Sequence, residues 1–95
     1  MAVRETGGGD AIRAHVAGVL RRARRRRGWS QPRLIHAMQQ EARRRNRTLP
    51  VPESLKTMIS RWENGHRIPD PYNREILCAA LGIREADLGL TGDET

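Results

Sequence analysis

A chain of 95 residues with 37% hydrophobic side chains can build one small core, and helices suit it because they satisfy their polar backbone internally. No apolar run approaches the roughly 20 residues that span a bilayer, no signal-peptide pattern opens the chain, and a single cysteine, Cys78, excludes an internal disulfide and fits a reducing cytosol. The net charge of +7 implies a polyanionic partner, nucleic acid before an acidic membrane surface, while 3% aromatic residues argue against a base-stacking platform for RNA or single strands. Lys56 is the only lysine. A GC-rich genome biases codons toward arginine, so an individual surface arginine need not touch a ligand.

Residues 1–9, with Gly7-Gly8-Gly9, read as a flexible lead-in. From Asp10 to Arg27 the residues Ile12, Val16, Val19, Leu20 and Ala23 recur at helical spacing; Asp10 is placed to cap the start and Gly28 to end the helix. Ser30 reads as the N-cap of a second helix, with Pro32 in its first turn and Leu34, Ile35, Met38 and Ala42 as its buried stripe, running to about Arg45. Pro50 and Pro52 around Val51 make an extended connector. A third helix over about 53–64 presents Leu55, Met58, Ile59 and Trp62 on one face, and Gly65 stops it.

Asp70-Pro71 opens a fourth helix with Ile76, Leu77, Ala80 and Leu81 facing the core until Gly82. Cys78, inside this apolar stretch, reads as a core thiol. Residues 83–90 offer a short fifth helix laying Ile83, Leu88 and Leu90 over the bundle, and 91–95 read as a loose tail. The expectation is an all-α, five-helix bundle over residues 10–90, with no strand and no internal repeat.

The third helix can bury Ile59 and Trp62 while turning Lys56, Thr57, Ser60 and Arg61 outward, side chains suited to base edges and phosphates in a major groove. The alternative is a solvated polar face. The stretch Leu20-Arg21-Arg22-Ala23-Arg24, then Gly28-Trp29-Ser30-Gln31, then Ile59-Ser60-Arg61-Trp62-Glu63-Asn64-Gly65, with Pro69 and Ala80-Leu81-Gly82-Ile83, resembles the Cro/phage-repressor (XRE-type) helix-turn-helix family.

That resemblance implies a repressor-like bundle that binds double-stranded DNA sequence-specifically and regulates transcription from the cytoplasm, at the nucleoid. It implies an Arg24–Glu63 ion pair locking the first helix to the end of the recognition helix. Gln31 would meet a phosphate at the start of the second helix while bracing the third. Lys56, Thr57, Ser60 and Arg61 would face the groove, and Asn64 and Arg67 the phosphate backbone. A homodimer on a two-fold operator is one assembly it allows.

The chain departs from the family between the second and third helices. A tight turn of about 3–4 residues is usual there, and this interval is about a dozen residues longer. With its SLKxMISRWExG element, the expanded segment resembles that of actinobacterial regulators. Arg43, Arg44, Arg45 and Arg47 in the inserted segment would follow a phosphate backbone or a narrow minor groove, or form a solvated helix end.

His15, His36 and His66 lack metal-ligand spacing, Gly7-Gly8-Gly9 lacks the lysine and hydroxyl of a phosphate loop, and no nucleophile–base set emerges. No cofactor, metal, membrane partner or enzymatic activity is expected. The competing reading is a protein-interaction module, such as an antitoxin or an adaptor for another regulator.

Overall fold

The computed structural model describes residues 4–90. Helix α1 spans Arg4–Arg26, α2 Gln31–Arg44, α3 Pro52–Glu63 and α4 Pro71–Leu81, followed by a 3₁₀ turn, Glu85–Leu88. No strand forms among the described residues. The described residues therefore hold four α-helices rather than the expected five. Ile83–Leu90 is too short between Gly82 and Gly89, both in the left-handed conformation, to do more than one tight turn.

Three expectations about α1 are corrected. It begins at Arg4, so residues 4–9 belong to the helix rather than to a lead-in, and Asp10 bonds Arg13 within it instead of capping it. Glycine costs about 1 kcal/mol against alanine inside a helix but, unlike proline, leaves the hydrogen-bond ladder intact. Residues 1–3 of the expected lead-in and the expected tail 91–95 lie outside the described residues. Ile12, 46% exposed, is not on the buried stripe, which starts one turn later at Val16 where α1 meets its neighbours.

The remaining starts and stops follow local chemistry. The Ser30 hydroxyl accepts from the Arg33 amide (3.2 Å), and Pro32, Pro52 and Pro71 occupy first turns. Helix α1 closes with Gly28 N–H to Arg25 C=O and Trp29 N–H to Arg24 C=O, the double bond of a Schellman turn. Helix α2 closes in the same pattern on Asn46, whose φ of 55° a residue with a short polar side chain tolerates. Asp70 starts α4 without bonding a backbone amide; its carboxylate instead accepts from the Asn73 amide (2.6 Å).

Helix α2 packs on α4 and α3, α1 packs on α3, and the 3₁₀ turn covers α1 and α4. The core where they meet holds Val16 and Leu20, Leu34 and Met38, Leu55 and Ile59, Ile76 and Leu77, with Leu88 from the 3₁₀ turn. Ile83, Leu90 and Ala80 are only half-buried. Arg27 donates to the Leu81 carbonyl (2.9 Å), placing a cation at the C-terminus of α4 where the helix dipole favours one. No helix is long and apolar enough to cross a membrane among the described residues.

Cys78 is 3% exposed, and its thiol is pushed up to about 11, first by burial and then by Glu85, with Arg74 opposing. Almost no thiolate exists at neutral pH, so iodoacetamide is expected to leave the native protein unmodified and to alkylate it fully in denaturant. Rapid native alkylation would contradict the packing of α4.

The connector after α2 is clamped rather than free. Arg45 donates to Glu41 (2.9 Å) and to Glu75 on α4 (3.2 Å), and Arg47 donates to the other Glu75 oxygen (2.7 Å). Arg47 also stacks over the Tyr72 ring at 5.3 Å, and the Tyr72 hydroxyl donates to the Thr48 carbonyl (2.8 Å). Of the four inserted arginines, Arg45 and Arg47 are thereby withdrawn from any arm reaching for a phosphate.

Hydrogen bonding from Arg47, then its charge, holds the Glu75 carboxyl below the usual carboxylate range. A carboxylate whose folded pKa is depressed stabilises the fold above its unfolded value and loses that contribution as pH falls through the folded value. Wild type is thus expected to melt above Glu75→Gln at neutral pH, the gap closing below about pH 4, as Glu75 protonates. A gap that persists unchanged in acid would show that the clamp is not ionic.

Candidate nucleic-acid interface

Helix α3 divides into two faces. Leu55, Ile59 and Trp62 are between 0 and 3% exposed, whereas Lys56, Thr57 and Arg61 are exposed and Ser60 half-exposed. Burying one stripe of an amphipathic helix obliges the residues between to face outward. Together with Gln31 at the start of α2, Lys56, Thr57, Ser60 and Arg61 line one open cleft of 440 Å³. Five of the residues singled out for DNA contact are thus brought together.

The footing of this cleft is a buried ionic lock. Glu63, the last residue of α3, is 2% exposed. Its carboxylate accepts from Arg24 Nε (2.7 Å) and Nη2 (2.9 Å), a bidentate pair, and from Gln31 Nε2 (3.1 Å). Arg24 Nη1 donates to the Trp29 carbonyl (2.8 Å) and Arg21 Nη1 to the Glu63 carbonyl (2.5 Å). The hydrogen bonds that Arg24 donates to Glu63, opposed by burial, raise the Arg24 pKa, so the guanidinium stays charged. One carboxylate therefore ties α1, the start of α2 and the end of α3 together, where a long connector alone would leave the α2–α3 angle loose.

Two side chains on the outer face are partly committed. The Thr57 hydroxyl leans back to the Glu53 carbonyl (3.4 Å), and Asn64 donates to the Ser60 hydroxyl (3.4 Å). Arg67 is exposed and shares a second hollow with Arg61 and Met58, extending the cationic face past the end of α3. Arg43 and Arg44 are exposed but stand at the far end of α2, about 18 Å from Gln31 at 1.5 Å per residue, and are not part of the cleft.

Two features escaped sequence reasoning. Arg21 joins the lock through a backbone carbonyl, which carries no sequence signature. Glu53 and Ser54, in the first turn of α3, are exposed on its outer side, so the face opens with an acid. The start of α3 at Pro52, given proline's preference for the first helical turn, was the available signal. No group of three His, Cys, Asp or Glu side chains able to hold a metal ion occurs among the described residues.

Comparisons with protein-family models, curated proteins and solved structures return no match to the chain. What the geometry defines is an all-helical domain that carries one cationic, hydrogen-bonding helix face on a rigid ionic footing.

Proposed function

We propose that this chain binds double-stranded DNA sequence-specifically and regulates transcription, with α2 and α3 acting as a helix-turn-helix of lengthened turn and α3 entering the major groove. The observation that carries this reading is the split of α3: Ile59 and Trp62 buried, Lys56 and Arg61 exposed within one cleft. An amide group has two N–H bonds, and Gln31 gives one to Glu63, leaving the other for a phosphate at the α2 N-terminus. Arg67 and Asn64 supply further backbone contacts, while Lys56 and Arg61 address guanine edges. The net charge of +7 supplies affinity for any duplex, and the α3 side chains select among them. On this reading the protein acts in the cytoplasm at the nucleoid, as a homodimer where its operator is two-fold symmetric.

The deciding experiment is selection of bound fragments from a random duplex pool at a stated salt concentration. Enrichment of one motif, whose affinity falls with salt along a straight line on logarithmic axes, is the expected result. Retention of the whole pool without enrichment would reduce the interaction to charge alone and overturn the reading. A second reading, a protein-interaction module of the antitoxin or adaptor kind, is favoured by a separate groove between α2 and α4 that the α3 cleft does not use.

A further inference from the structure

The α2–α4 groove encloses 570 Å³. Its floor is made of Ala37 on α2 and Ala79 and Ala80 on α4, all half-buried, with Trp29 at one end. Small side chains keep the floor low, so another helix can approach closely. The rim is cationic. Arg33 and Arg43 have no carboxylate partner among the described residues, and Arg44 shares Glu41 with Arg45. Arg27 and Arg33 flank the Trp29 indole, their guanidinium carbons 5.0 and 5.4 Å from the ring centroid, so the apolar end of the groove is also ringed by positive charge.

We propose that this groove docks an acidic amphipathic helix of a partner polypeptide. Its apolar stripe would lie on Ala37, Ala79, Ala80 and Trp29, and its carboxylates would meet Arg33, Arg43 and Arg44. A helix is specified rather than an extended segment because the α2 and α4 backbones are saturated by their own hydrogen bonds and offer no edge to a strand. An acidic partner is specified by the rim. A duplex would touch the rim with its phosphates and leave the apolar floor uncovered. On α2 the groove residues Arg33, Ala37 and Arg44 share one side, and Gln31 lies roughly 160° around the helix from Arg33 at 100° per residue. The groove therefore faces away from the α3 cleft, and the proposal stands without the DNA reading.

The test uses the full chain and a synthetic peptide of about five helical turns, with leucine on one face, glutamate elsewhere and a terminal nitroxide. Paramagnetic broadening is expected at the methyls of Ala37, Ala79 and Ala80. A scrambled peptide of the same composition, and one with lysine for glutamate, are expected to bind at least about tenfold more weakly. The double variant Arg33→Glu with Arg43→Glu should lose about tenfold or more, Ala37→Gln should weaken binding by filling the floor, and Lys56→Glu should change it little. Melting curves of the same variants check that each remains folded. Equal binding of the scrambled peptide would reduce the interaction to charge, and broadening at the α3 face would put the peptide elsewhere. Loss of duplex binding with unchanged peptide binding in the double variant would assign the rim to nucleic acid. Each of these three outcomes overturns the proposal.

Discussion

Replacing Glu63 with alanine is expected to lower the melting temperature by roughly 8–24 °C, whereas Glu53→Ala should shift it by only a few degrees. Glu63 is 2% exposed and its carboxylate is the only one facing Arg24 and Gln31 among the described residues. Removing one partner of a fully buried ion pair costs about 3–5 kcal/mol, because the other charge is stranded. The Arg24 side chain keeps 13% exposure and its bond to the Trp29 carbonyl, so about 2–3 kcal/mol is the better expectation here. Each kcal/mol moves a domain of this size by about 4–8 °C. The double variant Arg24→Ala with Glu63→Ala should be destabilised clearly less than the sum of the singles, since each already breaks the same pair. Equal destabilisation by Glu53→Ala and Glu63→Ala would remove the lock as a determinant of the fold.

Lys56→Ala and Arg61→Ala are each expected to narrow the gap between preferred and arbitrary duplexes by about 1–3 kcal/mol where the side chain holds a base edge with two hydrogen bonds, roughly 5- to 150-fold. Both side chains are exposed, so folding stability should stay within about 0.5 kcal/mol of wild type. Arg67→Ala should behave differently, weakening all duplexes alike and reducing the salt slope by about 1, as removal of a phosphate-binding cation does. Titrations of the selected motif and of an unrelated duplex at one salt concentration separate the two behaviours. If Lys56, Arg61 and Arg67 variants all bind uniformly more weakly, α3 is not the helix that reads sequence.

Elements governed by nearest neighbours along the chain are legible in the sequence. Ser30 and Pro32 announce α2, Pro71 announces α4, and Gly28 and Gly65 end the helices before them, because caps and left-handed stops are chemistry of a few adjacent residues. The 3.6-residue period likewise separates Ile59 and Trp62 from Lys56 and Arg61. The start of α1 is hidden, since a glycine run weakens a helix without forbidding it. Ile12 fits the period yet is exposed, because periodicity marks a face but not how far the neighbouring helices extend along it.

The arginine-rich insert is the hardest segment to read. Arg43, Arg44, Arg45 and Arg47 are equivalent as letters. Only the distant Glu75 and Tyr72 on α4 distinguish Arg45 and Arg47, which are tied to another helix, from Arg43 and Arg44, which are not. Such pairings join residues about 30 apart and leave no local trace.

A chain with 17 arginines and one lysine has a practical asymmetry, because acylating reagents attack amines and spare guanidinium groups. Lys56 stands exposed on the outer side of α3, so apart from the α-amino group a dye coupled through an active ester has a single anchoring point. The same uniqueness means that enzymatic acetylation of a side-chain amine, by erasing one positive charge, would fall on α3 and nowhere else in the molecule.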